Sequence, residues 1–375
     1  MTAMQKNFHD PFDHYIRELP VPDPEIKGRR VRINQGTIKS ITHLTHDTLE
    51  LVVRCDPASQ PLDGAAGQYA TLKVPGIRKS RSYSFAKTPE DENPGEHTFY
   101  IRLVPGGELS GWLAEGDRAG EHVELAGPLG TFGLDASDDT MVCIAGGSGM
   151  SAIAAIVKHA ANLGVARDCF FFYGARTQKD LYCHEEMRAV GDRWNSAHSF
   201  EFIPVLSEEP EASDWSGPRG LVTAFVKNEY LDQGRLPTHG VKAYFCGPPP
   251  MIDHGVEVFA SAGLGDENIY FDKFEDASSP APVVDNTKCV LCDECLLVKP
   301  VANCLVEATN FKINGGDFAF SFEQVQPART SGLYYNSLYI DEGECVRCFA
   351  CVDACPHDAI SVDYDRTPKT LRMYT

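Results

Sequence analysis

Short runs in which apolar and polar residues alternate occupy the chain from about residue 32 to residue 134. Thr48–Val53, Gln68–Val74, His97–Leu103 and Glu121–Leu125 are separated by Gly and Pro turns. Regularly spaced short strands of this kind predict an antiparallel β-barrel. The period changes at Thr140. An apolar strand, Met141–Ala145, meets a Gly-rich loop and then a helical run, Ser151–Leu163. A strand at Cys169–Tyr173 precedes a polar helix starting near Lys179. Further strands are predicted at Phe200–Leu206 and Val241–Phe245, and helices over Leu221–Tyr230 and Pro250–Ala262. Strands alternating with helices predict a parallel α/β sheet with ligands at the strands' carboxyl ends.

Residues 1–31 hold Pro11, Pro20, Pro22 and Pro24 among acids and read as an extended arm. Small residues and Pro in Asp276–Val284 read as a linker. The expected organisation is an arm (1–31), a barrel (32–135), an α/β domain (136–275), a linker (276–285) and a cysteine-rich domain (286–375).

At 375 residues, 43% apolar and 23% charged, the composition is that of a globular protein of several domains and excludes a coiled coil or a disordered chain. The most apolar run, Met141–Val157, is broken by Gly146, Gly147, Ser148 and Gly149, so no membrane insertion is expected. Asp10, Asp13, His14, Arg17 and Glu18 leave no room for a signal-peptide core, which points to the cytoplasm. The net charge of −19 argues against nucleic acid as a partner.

The cysteines change the picture most. Of 13, eight lie between Cys289 and Cys355, and a cytoplasmic chain does not keep that many disulfides, so metal is indicated. The run Cys345-x2-Cys348-x2-Cys351-x3-Cys355-Pro356 has the spacing that wraps three thiolates around one [4Fe–4S] cluster and sends the fourth to a neighbouring cluster. Zinc sites pair two short knuckles instead. Cys289-x2-Cys292-x2-Cys295-x8-Cys304 repeats the first three positions. Its longer last gap, with Leu305 in place of Pro, leaves a three-iron or degenerate site open beside a second [4Fe–4S] cluster. With fourth ligands exchanged, Cys289, Cys292, Cys295 and Cys355 hold one cluster, and Cys345, Cys348, Cys351 and Cys304 the other. This tail resembles a two-cluster bacterial ferredoxin over about residues 286–365. Between the motifs, Phe311, Ile313, Phe318, Phe320 and Phe322 alternate around Asn314-Gly315-Gly316, the pattern of a hairpin that covers the clusters or docks a partner.

Upstream, Arg81, Ser82, Tyr83 and Ser84 lie on one barrel strand, where alternation puts the cation and the aromatic ring on the same side. That pair suits a pyrophosphate and a flat heterocycle. Pro105-Gly-Gly-Glu-Leu-Ser110 and Gly127-Pro-Leu-Gly-Thr-Phe132 follow. Gly146, Gly147, Ser148, Gly149 and Met150 then join a strand to a helix, where glycines admit a pyrophosphate to the helix N-terminus. Tyr173-Gly-Ala-Arg176 and Cys246-Gly-Pro-Pro-Pro-Met251 complete the series.

In this order the segments resemble the ferredoxin–NAD(P)+ reductase superfamily over about residues 32–275, and look most like the reductase components of bacterial multicomponent oxygenases. The resemblance implies an FAD-binding β-barrel, an NAD-binding α/β domain and a small ferredoxin-like domain. It implies that Arg81 and Ser82 meet FAD, that Tyr83 stacks on its ring and that Ser84 approaches N5. Tyr100, Ile101 and Arg102, with Gly107, Leu109 and Ser110, would hold its ribityl and phosphates, and Phe274 would cover the ring. Gly146–Met150 would take the NADH pyrophosphate, and Arg176 and Asp180 would lie near its adenosine. Cys246, with Gly247, Pro248 and Met251, would sit beside the nicotinamide. Arg176 and Lys179 next to Asp180 offer little positive charge for a 2′-phosphate, which favours NADH over NADPH.

The implied activity is hydride transfer from NADH to FAD, then single electrons through two [4Fe–4S] clusters to a protein acceptor, an oxygenase. Known oxygenase reductases of this type carry a [2Fe–2S] domain, so the tail departs from the family pattern. The alternatives are an electron-transfer subunit for a non-oxygenase enzyme, a ferredoxin-to-NAD+ route, and a redox-sensing subunit.

Overall fold

The computed structural model describes residues 32–59, 62–77, 80–130, 132–273, 281–300, 304–312, 318–319, 334–341, 345, 347 and 349–362. Arg32–Phe274 form one compact unit, and the residues from Glu275 onward belong to a second.

In the first unit β1 (Arg32–His43), β2 (Thr48–Cys55), β3 (Tyr69–Lys73), β4 (Arg81–Ser84), β5 (Glu96–Arg102) and β6 (His122–Leu129) form one antiparallel sheet, ordered β4-β3-β6-β1-β2-β5. A bridge between Phe85 and Phe99, just past β4, brings the two edge strands together, so the sheet is a nearly closed barrel. The alternation read from the sequence is the reason. Leu49, Leu51 and Val53 point into the interior, while Glu50 and Arg54 do not. A short helix, α1 (Glu108–Ala114), was not anticipated. It is held by buried Leu109 and Leu113, which join the barrel core.

Five parallel strands follow: β7 (Thr140–Gly146), β8 (Cys169–Ala175), β9 (Phe200–Leu206), β10 (Val241–Gly247) and β11 (Ile269–Lys273). Their order, β11-β10-β7-β8-β9, reverses direction between β7 and β10. Ligands bind at such a switch point, outside the carboxyl ends of the strands. Helix α2 (Met150–Leu163) is buried almost all round because its Ala-rich faces admit close neighbours. The polar helix expected from Lys179 begins later, as α3 (His184–Arg193). Residues Gln178–Asp180 form a single tight turn instead, closed by a reciprocal cap between Thr177 and Asp180. Helix α4 (Val222–Val226) runs into a wider turn, Lys227–Leu231, and α5 (Pro249–Ser261) follows β10.

The second unit holds β12 (Val283–Val284), α6 (Glu294–Leu297), β13 (Leu305–Lys312), β14 (Phe318–Ala319), β15 (Tyr334–Ile340), α7 (Ala350–Asp353) and β16 (Ile360–Ser361). Val283 and Val284, placed within the expected linker, instead pair with Ser361 and Ile360. Antiparallel pairing of Phe311 with Ala319 and Lys312 with Phe318 forms the expected hairpin, whose turn lies outside the described residues. The N-terminal arm, Phe274 and Cys348 also lie outside them. Among the described residues, no helix is long and apolar enough to cross a membrane.

Candidate functional site

The switch point is built from two glycine loops that interlock. A Cβ on Gly149 would lie 2.0 Å from the Cys246 carbonyl oxygen, and one on Gly146 would lie 2.5 Å from Met251 Sδ. Gly247 has φ +147°, and a Cβ there would meet the Gly146 oxygen at 2.8 Å. Glycine at these positions lets the backbone of β7's loop touch the end of β10. The structure thereby brings Gly146–Met150 against Cys246, Gly247, Pro248 and Met251. Cys246 is fully buried, and burial, reinforced by the Asp272 carboxylate beside it, raises its thiol well above the usual range. It stays a neutral thiol in this site.

On the barrel side, Ser84 is buried and its Oγ has no hydrogen-bond partner. A buried hydroxyl left this way is costly unless a bound group completes it. Among the described residues, Arg81 donates to the Ser80 carbonyl, at 3.0 Å. Burial, opposed by Arg81, raises the Tyr83 phenol. Ser82 is exposed. Ile101 and Leu109 belong to the barrel core. Ser110 Oγ accepts the Val104 N–H at 3.2 Å, and a Cβ on Gly107 would collide with that Oγ at 2.5 Å. Tyr100 packs edge-on against Tyr182, whose hydroxyl donates to the Gly147 carbonyl at 3.0 Å. That chain of contacts ties the barrel to the glycine loop.

Arg102, Arg176 and Asp180 meet around a residue the sequence did not single out. Asp47, in the turn between β1 and β2, accepts from Arg176 Nη2 at 2.8 Å and lies 3.5 Å from Arg102 Nε. Arg176 also donates to Asp180 at 2.6 Å, and Asp180 in turn accepts from the Thr177 N–H and hydroxyl. Hydrogen bonding to Asp180, with burial opposing it, raises the Arg176 pKa further. Burial works against ionised Asp180, but the Thr177 and Arg176 hydrogen bonds prevail and lower it. Both bonds leave the same nitrogen, Nη2, which the two carboxylates therefore share. No local pattern announces Asp47, because its partner lies 129 residues away.

In the second unit the two cysteine motifs are built alike. Cys289 N–H donates to the Asp285 carbonyl at 3.0 Å, and Cys345 N–H to the Asp341 carbonyl at 2.8 Å. Leu291 and Asp293 are left-handed, with φ 56° and 66°, and so are Arg347 and Phe349, with φ 56° and 53°. Non-glycine residues adopt this conformation at a cost, and its repetition at matching positions coils both loops the same way. A one-turn helix follows each. Val284 pairs with Ile360, and Leu305 pairs with Ile340, so each motif's entering strand pairs with the other's leaving strand.

Cys289, Cys292, Cys295 and Cys355 line one cavity together with Leu338, His357 and Ile360. Ala359 N–H points at Cys355 Sγ, 3.2 Å away. Burial, followed by the neighbouring Cys292 and Cys289, pushes the Cys295 thiol up to about 12. Burial raises the Cys292 thiol as well, and four cysteines converging on one cavity fit an iron cluster. Cys304 is buried beside Leu305, in the core that also holds Cys295. It stands one residue before the paired Leu305, whereas Cys355 stands five before the paired Ile360. The fourth cysteine of the second set thus enters from a shifted position. Cys345 and Cys351 flank the second loop, with Cys348 between them in sequence.

Comparison with known proteins agrees with both units. Residues 35–133 match the oxidoreductase FAD-binding domain family, residues 143–256 the oxidoreductase NAD-binding domain family, and residues 338–361 the 4Fe-4S binding domain family. The chain is 42% identical over 231 residues to the xylene/toluene monooxygenase electron transfer component XylA of Pseudomonas putida, covering 62% of each chain. It is 31% identical over 260 residues to the phenol 2-monooxygenase reductase component DmpP of Pseudomonas sp. (strain CF600), covering 69% of this chain and 70% of that protein. Among solved structures, the ferredoxin reductase in carbazole 1,9a-dioxygenase aligns with TM-score 0.57 and 29% identity, over 65% of this chain and 70% of that one.

Proposed function

The chain belongs to the ferredoxin–NAD(P)+ reductase family, and from that premise we propose that it is the NADH-dependent reductase component of a multicomponent oxygenase. The carrying observation is the juxtaposition at the switch point of Cys246 and the Gly146–Met150 loop, joined through Tyr182 and Tyr100 to the barrel. FAD bound in the barrel would accept a hydride from NADH and release electrons singly. Arg81 supplies charge for its pyrophosphate, Tyr83 stacks on its ring system, and the unpartnered Ser84 hydroxyl serves its reactive edge. Gly107–Ser110 and Arg102 take its ribityl and phosphate groups. Gly146–Met150 receives the NADH pyrophosphate, and neutral, buried Cys246 packs against the nicotinamide. Cys289, Cys292, Cys295 and Cys355 hold one [4Fe–4S] cluster, and Cys345, Cys348, Cys351 and Cys304 a second, which pass electrons to the oxygenase. The mirrored backbone of the two loops supports two clusters rather than one.

Anaerobic addition of NADH tests the direction of flow. Flavin bleaching accompanied by low-temperature EPR signals of reduced clusters is the expected result. Flavin bleaching with clusters that only dithionite reduces would refute NADH-driven transfer through them.

The preference for NADH rests on Asp47 and Asp180, which occupy Arg176. Asp47→Asn removes one of the two negative charges that share Arg176 Nη2 and so leaves more of the guanidinium's charge for a 2′-phosphate. A charge-assisted hydrogen bond of about 2 kcal/mol predicts that kcat/KM for NADPH rises by about tenfold or more relative to NADH. Steady-state ferricyanide reduction with both nucleotides measures it, and an unchanged ratio would show that Arg176 does not read the ribose.

A further inference from the structure

His357 lies in the wall of the cavity that Cys289, Cys292, Cys295 and Cys355 share, and its Nε2 is buried without a hydrogen-bond partner. A buried ring nitrogen left unpaired costs free energy comparable to a lost hydrogen bond. It persists where a group bound in the cavity completes it. Among the described residues lining the cavity, the acceptors are the four cysteine sulfurs and the Asp293 carboxylate, to which a bound iron cluster would add its sulfides. We propose that His357 Nε2–H donates a hydrogen bond to a sulfur of the cluster held by these four cysteines and raises that cluster's reduction potential above its neighbour's.

Hydrogen bonds to cluster sulfurs stabilise the extra negative charge of the reduced state, so they raise the potential. The Ala359 N–H already acts this way on Cys355 Sγ, at 3.2 Å. His357 stands three residues before the paired Ile360, and three before the paired Leu305 the sequence has Ala302, which donates nothing from its side chain. His357 lies in the wall of the cavity of one set of cysteines, so its effect falls on that cluster. That cluster becomes the electron's resting place, and its neighbour the higher-energy step. His357 is a positioning and tuning residue, and it neither ligates iron nor exchanges a proton in this role.

The test is an anaerobic redox titration of the full-length holoprotein, followed by EPR, for wild type, His357→Phe and His357→Gln. His357→Phe is expected to make one of the two reduction steps about tenfold less favourable, a fall of about 59 mV for one electron, and to leave the other in place. His357→Gln keeps a side-chain N–H and is expected to recover most of the difference. Iron and sulfide analysis of each variant establishes that the clusters are intact. Potentials that stay in place with full iron content, or two steps that move together, would overturn the inference. The proposal rests on the cluster reading but fails separately from it. Four irons in wild type instead of eight would refute the second cluster, while the shift in the remaining one would still decide the role of His357.

Discussion

Cys295→Ala is expected to leave NADH-driven ferricyanide reduction near the wild-type rate and to reduce electron delivery to cytochrome c or the oxygenase to background. Ferricyanide takes electrons from the flavin, which lies upstream in the Arg32–Phe274 unit. Cys295 lies in the other unit, buried at the first turn of α6, and lines the cavity with Cys289, Cys292 and Cys355. On the proposed assignment, alanine removes one of four thiolate ligands and leaves Cys289, Cys292 and Cys355 in the cavity. Metal binding and folding are coupled in such small domains, so the loss should extend to the order of the tail. Iron analysis should show about four irons fewer per chain, the content of one cubane. Parallel loss of both activities would mean that the nucleotide-binding unit depends on the tail for its fold. Full delivery to cytochrome c would remove this cluster from the electron path.

Much of this arrangement was legible along the chain because it is local. Alternation at Leu49, Leu51 and Val53 gives the barrel interior, and the spacing of Cys289, Cys292 and Cys295 fixes a loop irrespective of its surroundings. The grouping of Cys355 with those three follows from the repeat itself, since a chain that coils twice returns each leaving strand to the other's entrance. The helix displaced from Lys179 to His184 had a signal that could have been read: Thr177 and Asp180 stand at capping-box spacing and close their own turn. Val283 and Val284 form too short a strand for any period to register, and only their partners Ser361 and Ile360 define them. Asp47 and His357 carry no local signature at all. One is an ordinary turn aspartate until Arg176 arrives from another strand, and the other an ordinary histidine until four cysteines surround its ring. Residues whose chemistry comes from tertiary neighbours are the ones a linear reading passes over.

Gly149→Ala should slow hydride transfer by about 100-fold or more while FAD remains bound. An added Cβ would sit 2.0 Å from the Cys246 carbonyl oxygen, 2.3 Å from its carbon and 2.7 Å from the Gly247 nitrogen. All three are backbone atoms of β10, which is paired on both sides, with β7 and β11, so no side chain can swing aside to relieve the overlap. The glycine loop must move away from Cys246, and the proposed nicotinamide site lies against that contact. A displacement of about 1 Å between reacting groups costs on the order of 100-fold in rate. Stopped-flow reduction of the flavin by NADH is therefore expected to slow by about 100-fold or more, with the flavin spectrum and FAD content unchanged, because the barrel is built by other strands. The same change at Gly111, where a Cβ meets nothing within 4 Å, controls for the substitution itself. A Gly149→Ala protein that reduces its flavin at the wild-type rate would mean that hydride transfer does not require the contact between the β7 loop and β10. The candidate site would then have to lie elsewhere along the carboxyl edge of the sheet.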